Sequence, residues 1–345
     1  METIVIKGKY GSSTILVDEQ IEGVAKYLPN KPLYIITDKN VERHHSKRFP
    51  KAPLYAVNPG EASKQLGYIE NIYRWLLEKN ADRNSFILGI GGGVVCDIAG
   101  FVASTYMRGV EFGFVSTSLL SQVDASVGGK NGVDLDGYKN IIGTFNQPRF
   151  VLCDTYLLQT LPNEELVNGF AEMVKHALIS DIKLFEQLEM DCNDLLNLNH
   201  PVITRHVTES IKVKAAIVSA DERESGIRKL LNLGHTWGHA VETLTGIAHG
   251  KAVSVGIDFA CRLSLDKGLI DHREYLRIVN ILQLFGLPTC LRVNPTEVFD
   301  ILLKDKKRNS NNIDFILLQG IGKPKIEALA LQEIQNFIKK NQLIQ

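Results

Sequence analysis

Phe86-Ile-Leu-Gly-Ile-Gly-Gly-Gly93-Val-Val-Cys-Asp97 runs from an apolar, β-branched segment through three consecutive glycines into residues with helical spacing. A strand that ends in glycines and turns straight into a helix lets the backbone come close to a pyrophosphate. It also offers that anion free N–H groups and the favourable end of the helix dipole. The spacing is not G-x-G-x-x-G, because Val94 stands where the last glycine would be. Alone, the motif would also suit a tight turn with no ligand.

Working outward, Leu33 to Thr37, Leu54 to Val57, Phe86 to Ile90 and Phe112 to Ser116 read as strands, with helical spacing over Ser63 to Lys79 and Val94 to Met107. Such βαβ units build a mainly parallel sheet, the architecture of a nucleotide-binding domain. From Pro162 onward apolar residues recur at helical intervals through 163 to 179, 200 to 220, 230 to 245, 251 to 268 and 271 to 285. Only Ile313 to Leu318 reads there as a further strand. The expected fold is an α/β Rossmann-like domain over residues 1–158 and a mainly α-helical domain over 159–345. A chain of 345 residues also exceeds the size at which one core usually stops growing.

Composition narrows the function. Lys plus Arg and Asp plus Glu both total 39, so no global field draws the chain to nucleic acid or an anionic membrane, and any bound anion needs a local cluster of cations. Five scattered cysteines without a C-x-x-C pair read as reduced thiols of a cytosolic protein. The N-terminal residues lack a basic segment followed by an apolar one, and no apolar run is long enough to cross a bilayer, so a cytoplasmic location is expected.

Several other segments carry polar groups where chemistry could use them. Asn58-Pro-Gly-Glu61-Ala-Ser-Lys64 sets a carboxylate and an ammonium three residues apart, and Asp38 and Asn40 follow a strand; turns and helix caps use the same residues. Gly128-Gly129-Lys130, with Lys139-Asn140 nearby, can cradle an anion or form a solvated turn. Glu172 and Lys175 share a helix face, as an ordinary ion pair would. Gly234-His235-Thr-Trp-Gly-His239 places two imidazoles at i and i+4, as a zinc-binding helix does, although no glutamate follows the first histidine. His249 lies close behind, and spacing does not say which histidines would hold a metal.

In this order, and with Met107-Arg-Gly109, Val127-Gly-Gly-Lys130, Asp221-Glu-Arg-Glu224 and Leu231-Asn-Leu-Gly-His235, these segments closely resemble the 3-dehydroquinate synthase family from about Asp38 to Lys307. The resemblance implies a cleft between the two domains, a homodimer, bound NAD, and one divalent metal, zinc or cobalt. It makes Glu172, His235 and His249 the metal ligands and His239 an acid/base group. It assigns Asp38, Asn40, Glu61, Lys64, Gly91, Gly92, Gly93, Asp97, Thr117, Ser118 and Thr160 to NAD, with Lys130 and Lys139 alongside. Substrate carboxylate and phosphate fall to Arg108, Lys130, Asn140, Lys175, Lys214, Arg228, Asn232 and Lys306. Asp124 fixes hydroxyls, while Lys139 and Glu224 complete the polar lining. Four residues depart from the usual pattern: Cys96 for glycine, Ser116 for proline, Asn131 for threonine and Lys251 for glutamate.

The implied substrate is a small phosphorylated keto acid, 3-deoxy-D-arabino-heptulosonate 7-phosphate. Transient oxidation by NAD, β-elimination of phosphate, return of the hydride and an intramolecular aldol closure yield 3-dehydroquinate, within the shikimate route to aromatic amino acids. Two rivals share most of these residues. One is a sister sugar-phosphate cyclase acting on sedoheptulose 7-phosphate or glucose 6-phosphate; the other is a metal-dependent polyol dehydrogenase, which would release NADH.

Overall fold

The computed structural model describes residues 1–8, 11–305 and 311–341, and the chain divides into two compact units. The first comprises Met1–Leu166 and His200–Arg223; the second comprises Val167–Asn199 and Glu224–Gln345.

The strands of the first unit are β1 (Glu2–Lys7), β2 (Ser12–Val17), β3 (Leu33–Asp38), β4 (Leu54–Val57), β5 (Phe86–Gly91), β6 (Glu111–Ser116), β7 (Lys130–Leu135), β8 (Tyr138–Phe145) and β9 (Phe150–Cys153). Seven form one sheet in the order β1-β2-β9-β6-β5-β3-β4, parallel throughout except for the β1–β2 hairpin. All six residues of β5 are buried, which is why its sequence is a continuous apolar run without alternation. The connecting helices are α1 (Lys39–His45), α2 (Leu66–Glu78) and α3 (Gly93–Thr105).

Strand order fixes where a ligand can sit. From β3 the chain moves outward to β4, and from β5 it moves the opposite way to β6, although β3 and β5 are neighbours. Connections that diverge from adjacent parallel strands leave a crevice beyond their carboxyl ends. Asp38 ends β3 and Gly91 ends β5, so the glycine turn and the Asp38 region share that edge.

The remaining elements are α4 (Asn163–Ser180), α5 (Ile182–Met190), α6 (Cys192–Leu196), α7 (His200–Ala220), α8 (His235–Thr245), α9 (His249–Asp266), α10 (His272–Leu284), α11 (Pro295–Asp305), β10 (Asn312–Leu318), β11 (Pro324–Ala330) and α12 (Leu331–Asn341). The second unit's core is aromatic: Trp237 stacks on Phe259 at 4.0 Å between ring centroids, and Phe259 meets Phe315 and Phe337. Asp271 and Glu274 close a capping box that starts α10.

Three features differ from the sequence expectation. Residues 200–223 group with the first unit, because α7 packs against β1, β2 and the turn at Ser121–Ala125. The segment 130–145 forms the β7–β8 hairpin; its glycines and charged residues hide the alternation of a strand. Ile313 to Leu318 is joined by a second strand, β11, whose exposed face carries Ile326, Ala328 and Ala330. Among the described residues, no helix is long and apolar enough to cross a membrane.

Candidate active site

In the second unit, Glu172 from α4, His235 from the start of α8 and His249 from the start of α9 converge, each offering a donor atom within 4.8 Å of the others. Glycines make this possible. Gly250 lies so close to α4 that a β-carbon there would stand 2.4 Å from the Asn168 carbonyl oxygen, one turn before Glu172. On α8, Gly238 lies equally close to α9, where its β-carbon would stand 2.7 Å from the Ala252 carbonyl oxygen. Each histidine of the Gly-His-x-x-Gly-His run thus follows a glycine that admits the neighbouring backbone.

Glu172 is fully buried, and its Oε2 is ion-paired with the equally buried Lys175. The other oxygen, Oε1, faces Nε2 of His235 and Nε2 of His249, each at 3.7 Å, too far for a hydrogen bond. Ligands about 2.0–2.1 Å from a tetrahedral zinc ion stand roughly 3.3 Å apart, so this spacing suits a shared cation. The Nδ1 atoms point elsewhere: that of His235 lies 3.2 Å from the Leu233 carbonyl oxygen, and that of His249 lies 3.1 Å from Glu242 Oε2. With Nδ1 engaged in each ring, Nε2 is the nitrogen that both imidazoles turn toward Glu172.

The buried carboxylate and the two imidazoles shift one another's protonation. Burial alone would raise the Glu172 carboxyl, but Lys175 and the two imidazoles hold it well below the usual carboxylate range. Burial, reinforced by the Lys175 charge, pushes His235 well below its ordinary value, leaving a neutral imidazole. Burial would also lower His249, yet Glu172 and Glu242 outweigh it and lift His249 to about 9. A buried carboxylate with two converging Nε2 atoms is a donor set that fits zinc or cobalt.

His239 is exposed, its ring centroid 5.0 Å from that of His235 and 5.9 Å from that of His249. It also belongs to an overlapping group of possible donors, His239, Glu242 and His249. Nearby in the chain, Asn232 Nδ2 donates to Glu224 Oε1 at 2.6 Å, Glu224 holds a left-handed backbone with φ of 61°, and Arg228 is buried. Lys306 lies outside the described residues.

In the first unit, the Gly91–Gly93 turn needs glycine for closeness and not for a left-handed backbone. A β-carbon on Gly92 would stand 3.2 Å from Ser118 Oγ, one on Gly93 would stand 3.1 Å from Ala125 Cβ, and none of the three glycines has positive φ. The N-cap of α3 is Gly92, which has no side chain to cap the helix's first N–H groups. The Thr117 N–H donates to the Gly91 carbonyl, tying the ends of β5 and β6 together. Beside the turn, Lys64 is buried, with Nζ 2.5 Å from Asp97 Oδ2 and 3.5 Å from Glu61 Oε1. Asp38 caps α1 by accepting from the N–H groups of Asn40 and Val41. An uncapped helix N-terminus beyond a glycine turn, at the switch point of a parallel sheet, fits a dinucleotide pyrophosphate.

The anion-binding candidates of this unit are held by unusual backbone. Gly128 and Gly129 have φ of 109° and 69°, and Arg108 and Asn140 are left-handed at 68° and 53°. Strained non-glycine residues of this kind persist where surrounding structure holds them, often at ligand sites. Lys130 and Lys139 are exposed on the hairpin, and the Asn140 N–H donates to Asp134 Oδ1 at 2.7 Å. Lys214, on α7, is buried and donates to Asp124 Oδ1 at 2.7 Å. Thr160 Oγ1 lies 2.8 Å from Nε2 of the buried His45, a partner that sequence reasoning missed because His45 ends a short helix far upstream.

Of the four departures, two lie together: burial pushes the Cys96 thiol up, and the Ser116 hydroxyl beside it acts in the other direction. Asn131 fits against Gly100, where a β-carbon would stand 1.9 Å from its Oδ1; nothing in the structure explains Lys251.

Residues 54–168 match the family model described as 3-dehydroquinate synthase N-terminal, and residues 169–308 match 3-dehydroquinate synthase C-terminal. The chain is 40% identical over 336 residues to the 3-dehydroquinate synthase of Thermoanaerobacter pseudethanolicus, covering 93% of this chain and 94% of the relative. It is 37% identical to that of Caldanaerobacter subterraneus, covering 98% and 100%. Among solved structures, 2-deoxy-scyllo-inosose synthase complexed with carbaglucose-6-phosphate, NAD+ and Co2+ superposes with a TM-score of 0.87 at 26% identity, covering 98% of this chain and all of that one. Two family models that together span most of the sequence, and relatives of this identity along nearly its whole length, make this chain a member of the 3-dehydroquinate synthase family.

Proposed function

We propose that the protein is a 3-dehydroquinate synthase, converting 3-deoxy-D-arabino-heptulosonate 7-phosphate to 3-dehydroquinate and phosphate. The observation that carries this reading is the convergence of Glu172, His235 and His249 in a chain whose two halves match the two family models. A zinc or cobalt ion held by Glu172, His235 and His249 supplies Lewis acidity, and NAD held at the glycine turn supplies a hydride acceptor that each cycle restores.

The chain's own residues do the rest. His239, exposed beside the two buried imidazoles, moves protons at the reacting centre. Lys175 keeps Glu172 ionised, and Lys130, Arg108, Asn140, Lys214 and Arg228 balance the charge of the phosphate and carboxylate. Asp124, oriented by Lys214, fixes substrate hydroxyls, while Asn232, Glu224 and Lys139 line the polar surface. Holding the open-chain intermediate in one geometry brings its nucleophilic carbon to its carbonyl, and the ring closes. The relative solved with a sugar-phosphate analogue, NAD+ and Co2+ supports both cofactors. The same reading makes the working form a cytoplasmic homodimer.

The test is phosphate release and cyclic product formation by the purified protein with NAD and zinc or cobalt, comparing the heptulosonate phosphate with sedoheptulose 7-phosphate. Turnover of the first without net NADH is expected. Turnover of sedoheptulose 7-phosphate alone would make it a sister cyclase, and NADH accumulating without phosphate release would make it a dehydrogenase.

A further inference from the structure

His249 is the only one of the three proposed ligands whose ring lies between two carboxylates. Its Nε2 is 3.7 Å from Glu172 Oε1, and its Nδ1 is 3.1 Å from Glu242 Oε2. Glu242 is a buried glutamate on α8, seven residues after His235 and so on the same helix face. A buried carboxylate is costly unless it has a strong partner, and the His249 Nδ1–H is such a partner. His235, by contrast, rests its Nδ1 on a neutral carbonyl, that of Leu233.

We infer that Glu242 is a positioning residue for the metal centre: by accepting the Nδ1–H of His249 it fixes the ring's orientation and tautomer, leaves Nε2 bare, and sets the site's affinity for a divalent cation. The inference rests on reading Glu172, His235 and His249 as the ligands. A carboxylate behind a ligating imidazole both orients the ring and makes its free nitrogen a better donor. The i+7 position also explains why α8 continues past His239 with a buried charged group: that turn supports α9's first residue.

Cobalt chloride titrated into the metal-free, full-length protein provides the test, with visible absorption reporting ligand geometry, a competing chelator giving affinity, and thermal unfolding of the metal-free forms reporting the fold. Glu242→Ala should weaken cobalt binding roughly 10–100-fold. Glu242→Gln, whose amide oxygen still accepts the Nδ1–H without the charge, should fall between that variant and the parent. Should Glu242→Ala not fold, the position of Glu242→Gln decides. Parent-like affinity in both variants would overturn the inference. So would loss of the site in both to the extent seen in His249→Ala, which would make Glu242 itself a ligand. A parent protein that binds no stoichiometric cobalt would instead overturn the metal reading beneath it.

Discussion

A β-carbon on Gly256 would stand 1.8 Å from the carbonyl oxygen of Gly234. Helix α9 therefore meets the start of α8 backbone to backbone, immediately beside His235, and a glycine pair sets the spacing of two proposed ligands. Gly256→Ala should cost about 3 kcal/mol of stability, because the facing atom is a backbone oxygen that cannot turn aside. Gly67→Ala is the control: a β-carbon there meets nothing within 4 Å, on α2, so it should stabilise by about 0.5–1 kcal/mol. Urea unfolding of both variants measures the contrast.

His235→Ala removes one of three convergent donors from the second unit, while the sheet belongs to the first. We expect metal-supported turnover to vanish and bound metal to be lost on dialysis, while NAD binding persists. Metal analysis and an NAD fluorescence titration check this; full activity would remove the metal assignment.

Asp97 gives a pH signature. Burial lifts its carboxyl to about 6 in spite of Lys64, well above the roughly 3.9 of an unfolded chain. The folded state then holds the proton more tightly, so this group's contribution is most favourable near pH 4, falls as pH rises to about 6, and is flat above. The melting temperature of the parent minus that of Asp97→Asn should accordingly decline from pH 4 to 6. A difference that grows with pH would mean that pairing with Lys64 outweighs burial.

Asn131 pins the anion loop. Its Nδ2 donates to the carbonyls of Gly129 at 3.1 Å and Asn146 at 2.9 Å, and its side chain fills a slot opened by Gly100, where a β-carbon would stand 1.9 Å from Asn131 Oδ1. Asn131→Ala should cost about 1–2 kcal/mol by leaving those carbonyls short of a donor. It should also raise KM for the phosphorylated substrate several-fold through the neighbouring Lys130. Denaturation and steady-state kinetics separate the two effects.

Strand β5 and its glycine turn could be read because a strand buried on both faces is a continuous apolar run, and because glycines mark where backbone must come close. The β7–β8 hairpin could not, since half its residues are glycine, charged or amide, so a strand there resembles a loop. Helix α7 was legible as a helix, but its packing against β1 was not, because periodicity gives a buried face without naming what covers it.

The sequence by itself determined the local geometry: the strand-to-helix glycine turn, His235 and His239 on one helix face, and Glu172 one turn from Lys175. Its motif order also carried the family resemblance and, with it, the expected ligands. Only the tertiary structure decided which donors meet, bringing Glu172 from α4 and His249 from α9 to His235 and setting Glu242 behind His249. Helical spacing relates residues within a few turns of one another. The meeting of α4, α8 and α9 depends on where glycines let separate backbones touch, which no period along the chain encodes.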